Sequence, residues 1–243
     1  MTSYGQFCPV AKASELLGER WMLLILRELL LGTRRYSEFQ RALSRISPSL
    51  LTKRLKQLES AGIIVRKAQQ GRKGHDCFLT PAGKELAPIV EHLAVWGMRW
   101  ARGQLTDDEL DVEFLMWDIQ RRISLDKLPD GETVFCFIFD DLSQFKNWWL
   151  VVSDGEVDLC TENPGKNVDL YISTTLRNMV DIWEGDIGLK AAQSKKLLTT
   201  QGEIKLARSM SDWLGINPYA DIRRGDPIMM KIAADDGTKR SRD

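Results

Sequence analysis

The chain has 243 residues, 43% of them hydrophobic, with 34 basic and 34 acidic side chains and no net formal charge. That length exceeds one typical domain and suits two, and the apolar share excludes a chain disordered throughout. The balance conceals a split: residues 1–104 carry 17 Lys and Arg against 8 Asp and Glu, and the remainder carries 17 against 26. Only the first part therefore offers a surface for a polyanion. Cys8, Cys77, Cys136 and Cys160 include no C-x-x-C pair and there are two histidines, so no metal site is expected, and no cofactor. The sequence shows neither a signal peptide nor an apolar run of about 20 residues. The expectations are a cytoplasmic location, reduced thiols and no membrane partner.

In chain order, Val10–Leu17 reads as a short helix stopped by Gly18, and Trp21–Leu31 as a strongly apolar helix closed by Gly32. Tyr36–Leu43 is a third, short and amphipathic. After the link 44–46 comes S-P-S-L-L-T-K-R-L-K-Q-L-E-S-A-G, from Ser47 to Gly62. Ser47 can cap this helix, Pro48 suits its first position and Gly62 its end. At 100° per residue Leu51, Leu55 and Leu58 share one side, while Ser49, Thr52, Lys53 and Lys56 lie opposite. Two short helices joined by a brief turn fit a helix-turn-helix, whose second helix enters a DNA major groove. An ordinary amphipathic surface helix is the alternative.

The period then changes. Ile63–Lys67 and Cys77–Leu79 read as two strands of a hairpin whose tip carries Arg72, Lys73 and His75. A basic hairpin directly after a recognition helix is a wing, able to lie along phosphates or enter the minor groove.

C-P-V-A-K-A at Cys8, G-E-R-W-M-L-L-I-L-R-E-L-L at Gly18, Y-S-E-F-Q at Tyr36, I-S-P-S-L-L-T-K-R-L-K-Q-L-E at Ile46 and L-T-P-A-G at Leu79 follow one another in an order and spacing that resembles the HxlR family of prokaryotic transcriptional regulators. These are winged helix-turn-helix homodimers. The resemblance implies that the Ser47-capped helix meets the major groove through Ser49, Thr52, Lys53 and Lys56. It also implies that Arg54 lies near phosphates and that Arg72 and Lys73 serve the wing. The face analysis puts Arg54 at the flank, which suits a phosphate contact.

From Lys84 to Arg102 the pattern is one long helix with Leu86, Ile89, Val90, Leu93, Trp96 and Trp100 on one side. The resemblance makes this stripe part of the dimer interface; packing on the chain's own second half is the alternative. Several members of the family sense oxidants or electrophiles through a cysteine near the N-terminus. Cys8 stands at a helix start, where the dipole can lower a thiol pKa, with Lys12 one turn on. An ordinary helix-start residue is the bland alternative.

Thr106–Ile123 opens with T-D-D-E, a capping-box sequence, and continues as a connecting helix. After Gly131 four strands follow (T-V-F-C-F-I-F, N-W-W-L-V-V-S, E-V-D-L-C-T and V-D-L-Y-I-S). Helices at Leu176–Glu184 and Leu189–Ser194, a strand at Leu197–Thr200 and a helix at Glu203–Leu214 complete the pattern. This is an α+β layer fold with helices over one sheet face. Its strand order, the W-W-L-V-V-S-D-G-E-V-D-L-C pair, V-D-L-Y-I-S-T-T and L-L-T-T-Q-G-E resemble the sterol-carrier-type (SCP2-like) lipid-binding domain. That fold implies an apolar tunnel for fatty-acyl or sterol-like molecules, lined here by Phe135, Phe137, Phe139, Trp148, Met179, Val180 and Trp183. The alternative is that these side chains simply fill the core.

The expected organisation is a winged helix-turn-helix domain at 1–104, a helical connector at 105–127, a sterol-carrier-like domain at 128–225 and a disordered tail at 226–243. The expected function is a homodimeric, sequence-specific DNA-binding transcriptional regulator, modulated by a small apolar ligand, by modification of Cys8, or by both. A lipid carrier whose winged-helix half only dimerises is the alternative. No catalytic constellation is visible, so an enzyme is not expected.

Overall fold

A computed structural model describes residues 3–68, 74–102 and 105–225. The chain divides into two compact units between Leu93 and Ala94.

In the first unit, α1 (Pro9–Leu17), α2 (Met22–Leu30), α3 (Tyr36–Ala42) and α4 (Pro48–Ser60) lead into an antiparallel hairpin of β1 (Ile64–Ala68) and β2 (His75–Leu79). α2 is the central element: Met22, Ile25, Leu26 and Leu29 are buried, and so is Glu28, which Arg27 and the Thr33 hydroxyl hold. Ser47 caps α4 by accepting from the Leu50 N–H at 3.4 Å, with Pro48 in the first turn. The hairpin pairs Ile64 with Leu79 and Arg66 with Cys77, and the Cys77 N–H donates to the Arg34 carbonyl at 3.0 Å. The wing tip, with Arg72 and Lys73, lies outside the described residues.

The L-T-P-A-G stretch forms a junction. Thr80 caps α5 (Pro81–Lys84) by accepting from Gly83 N–H, while its hydroxyl donates to the Gly62 carbonyl at 2.7 Å. Gly83 is required by close approach: a Cβ there would lie 2.3 Å from the Ile63 carbonyl oxygen. The helix expected over 84–102 is divided. α5 ends at Lys84, α6 spans Ala87–Trp96, and Gly97–Ala101 form a π turn.

The second unit begins with the last residues of α6. The Thr106 capping box forms, but it closes only a 3-10 turn, Asp107–Glu109. Leu110 is extended, and α7 (Val112–Gln120) starts afresh with an Asp111 cap. The sheet comprises β3 (Thr133–Phe139), β4 (Asn147–Ser153), β5 (Glu156–Cys160), β6 (Leu170–Thr174) and β7 (Leu198–Gly202), in the order β5-β4-β3-β6-β7. The β3–β6 pair is parallel and the others antiparallel. α8 (Leu176–Trp183), α9 (Leu189–Ser194), α10 (Ile204–Arg208) and α11 (Met210–Trp213) complete it, the expected closing helix being split at Ser209. Side chains of α7, α8, α9, α10 and α11 meet alternate residues of the strands in one apolar core. The molecule is thus α+β, a winged helix-turn-helix unit followed by a sterol-carrier-like one. Among the described residues no helix is long and apolar enough to cross a membrane.

Candidate functional site

The two faces of α4 are chemically distinct. Leu51, Leu55 and Leu58 are buried, whereas Ser47, Ser49, Thr52, Lys53 and Lys56 are exposed. Ser47 is occupied by the cap and lies 3.3 Å from Ser49 Oγ. The Thr52 hydroxyl donates to the Pro48 carbonyl at 2.9 Å, and Tyr36 Oη, from the start of α3, donates to the same carbonyl at 2.8 Å. Tyr36 therefore stands beside the exposed face, a neighbour that helix periodicity within α4 alone does not reveal. Neither Lys53 nor Lys56 has an ion-pair partner among the described residues, so both ammonium groups are available to an anion.

Arg54 corrects the expected phosphate contact. Its side chain is buried, with Nη1 2.6 Å from Glu19 Oε2, Nε donating to the Arg20 carbonyl at 2.9 Å and Nη1 to Gln57 Oε1 at 2.8 Å. Arg54 is a strut between α4 and the turn joining α1 to α2. It follows Leu51 by three residues and precedes Leu58 by four, spacings that place side chains on the same helix face. The turn that it holds is the G-E-R-W stretch, where Trp21 takes a left-handed φ of 76°, unusual for a bulky residue. The same stretch thus supplies Glu19 and Arg20 to one buried cation.

In the wing, Arg66 reaches back to Glu59 at the end of α4, donating from Nε at 2.7 Å. The guanidinium holds the Glu59 carboxyl below its usual range. Lys67 is exposed and lies over the Phe78 ring.

Cys8 is half-buried at the N-cap of α1, as the helix-start reading requires. Lys12 pairs with Glu15 at 3.0 Å, and the hydrogen bond lowers the Glu15 pKa. Burial pushes the thiols of Cys77 and Cys136 up to about 11.

On α6, Ile89, Leu93 and Trp96 are 45%, 46% and 56% exposed, and Leu86 and Val90 beside them are half-buried. Trp100 departs from this stripe. A Cβ on Gly225 would lie 2.1 Å from its ring, and Gly225 N–H donates to the Arg99 carbonyl at 2.7 Å. Trp100 therefore packs within the second unit, because the π turn shifts the helical phase after Trp96. Arg102 is anchored there as well, donating to the Glu184 carbonyl at 2.8 Å and pairing with Asp186 at 2.9 Å.

The residues expected to line an apolar site are brought together. Phe135, Phe137, Phe139, Trp148, Met179 and Val180 are buried in one core, and Phe135 stacks on Trp213 at 4.3 Å. Trp183 lies at the rim, its indole N–H donating to Asp118 at 3.1 Å and its ring meeting Phe114 edge-on. Asp118, itself buried, also receives Arg122. This polar clasp between α7 and α8 had no signal beyond the D-I-Q-R-R spacing.

Comparison with known proteins follows the same division. The HxlR-like helix-turn-helix family matches residues 16–104, and the SCP-2 sterol transfer family matches residues 97–215. The HTH-type transcriptional regulator YvaP of Bacillus subtilis (strain 168) is 37% identical over 97 residues, covering 39% of this chain and 90% of YvaP. YdeP of the same organism, likewise an HTH-type transcriptional regulator, is 31% identical over 94 residues, 38% and 73% of the two chains. The solved structure of the redox regulator HypR in its reduced form is 30% identical, with a TM-score of 0.36 over 37% of this chain and 90% of that one. Over its first part the chain thus belongs to the HxlR-like helix-turn-helix family of transcriptional regulators, and its second part is similar to the SCP-2 sterol transfer family.

Proposed function

We propose that this chain is a homodimeric, sequence-specific DNA-binding regulator whose affinity responds to a small apolar molecule in the second unit, to modification of Cys8, or to both. The observation that carries it is the division of α4: an inward face locked by Leu51, Arg54, Leu55 and Leu58, and an outward face of Ser49, Thr52, Lys53 and Lys56. Short polar side chains read base edges while lysines meet phosphates or guanines. Two such faces related by a two-fold axis read half-sites about one helical turn apart, roughly 34 Å. The exposed Ile89, Leu93 and Trp96 supply an apolar stripe suited to that pairing. The regulator acts on DNA in the cytoplasm and performs no catalytic step.

A fatty-acyl or sterol-like ligand is supported by the SCP-2 match and by the apolar core between sheet and helices. To act as a signal it must bind the DNA-competent and incompetent dimers with different affinity. The carrier reading is favoured by one observation: the SCP-2 match covers more of the chain than the helix-turn-helix match. Selection of bound DNA from a random pool, with and without a fatty-acyl mixture and an oxidant, separates the two. A regulator enriches a pseudo-palindromic site, and the additive that changes enrichment is its input. If no site is enriched under any condition, the carrier reading replaces it.

A further inference from the structure

The second unit carries a basic surface that neither the DNA-reading face nor the apolar core uses. Elsewhere in this acidic half the cations are matched: of ten described basic side chains outside residues 190–208, eight have a carboxylate partner. Lys190, Lys195, Lys196, Lys205 and Arg208 are all exposed and have no ion pair among the described residues. Between Lys190 and Arg208 the only carboxylate is Glu203. Asp212, the next one along, lies close enough to Lys127 to favour its charged form.

The segments that carry these cations pack along one edge of the sheet. α9 and α10 both pack on β7, the edge strand, and insert Ala192 and Leu206 into the same core. Gln193 Nε2, on α9, reaches Met210 Sδ beyond α10 at 4.0 Å. Two positions along a helix turn a side chain about 200°, so Lys190 on α9, and Ile204 and Arg208 on α10, look away from that core. Ile204 is 66% exposed among these charges.

We propose that this face docks on a lipid bilayer bearing anionic headgroups. Each basic side chain near an anionic leaflet strengthens binding several-fold, and an apolar side chain between them buries itself at the acyl boundary. A DNA backbone offers the same charge but no apolar layer for Ile204. Peripheral docking needs no spanning segment. It needs no bound apolar ligand; only the further role of loading such a ligand from the bilayer rests on the proposed function.

The test is co-sedimentation of the full chain with phosphatidylcholine vesicles and with vesicles containing phosphatidylglycerol. The chain should pellet with the anionic vesicles alone. Combined Lys190→Glu and Arg208→Glu should weaken this at least tenfold, and Ile204→Ser a few-fold, both without loss of thermal stability. Combined Lys53→Ala and Lys56→Ala should leave vesicle binding intact. Equal binding to both vesicles, or unchanged binding by the charge-reversal variant, overturns the proposal. So does loss confined to the Lys53 and Lys56 variant, which moves the contact to the first unit. If charge reversal instead weakens duplex DNA binding and spares the vesicles, the patch is a nucleic-acid surface and the proposal fails.

Discussion

Lys53 and Arg54 are neighbours in sequence with opposite tasks, because 100° of helical rotation carries one into solvent and the other against Glu19. Lys53→Ala should cost ~1 to 3 kcal/mol of affinity at a specific site and leave the melting temperature unchanged. Arg54→Ala should lower unfolding stability by about 2 kcal/mol, less than for a fully buried pair because Glu19 is partly exposed. Urea unfolding and DNA titration of both variants check this; wild-type stability in Arg54→Ala contradicts the strut. The cysteines divide similarly. Cys77 and Cys136, with thiols pushed up to about 11 by burial, stay protonated at pH 8, and the thiolate is the reactive form. Brief alkylation of the native chain followed by mass spectrometry should label Cys8 and Cys160 first, and equal labelling of all four contradicts it. Glu184 provides a pH test. Burial, then the charge of Asp186, raises its pKa, so on raising the pH the unfolded chain releases this proton before the folded one does. Stability from this group is therefore lost as pH rises from the ordinary Glu range through the folded pKa. Glu184→Gln should change the melting temperature little at low pH and raise it at neutral pH; the reverse pattern refutes the assignment.

Among the elements, α4 was legible in its cap, its proline, its apolar leucines and its end, which all stand in consecutive residues, but not in the burial of Arg54. The L-T-P-A-G junction was legible as a pattern but not as a cause, since the cause is Ile63, twenty residues before Gly83. Gly83→Ala should cost about 1 to 3 kcal/mol by forcing a Cβ into that carbonyl, measured as a lowered denaturation midpoint. The helix of residues 84–102 was over-extended. Its side-chain period runs on through Trp100, but the backbone breaks after Lys84 and widens at Gly97, so Trp100 leaves the stripe that Ile89, Leu93 and Trp96 form. Leu93→Glu should therefore turn the proposed dimer into a monomer in sedimentation velocity. Trp100→Ala should leave the dimer and lower stability, and the opposite pair of outcomes defeats this division of roles.

For the molecule as a whole, the charge split suits the first unit to the proposed reading of DNA, and the apolar core of the second suits it to the proposed apolar ligand. Saturating fatty-acyl molecules at a hundredfold excess over Kd should stabilise the chain by about 2.7 kcal/mol, read as an upward shift in unfolding midpoint. No shift with any acyl length would mean that Phe135, Phe137 and Phe139 serve only as core.

The sequence by itself determined the two domains, the order of their elements, the polar and apolar faces of α4 and the aromatic core, because these rest on local caps, turn residues and periodicity. Only the tertiary structure decided that Arg54 is a strut, that Trp100 packs against Gly225 and that Asp118 clasps Trp183. Each depends on a partner brought from a different part of the fold or on a change of helical phase. It also decided which cations remain unmatched. A lysine in sequence is only a charge; whether a carboxylate stands within reach depends on which faces the packed core turns outward.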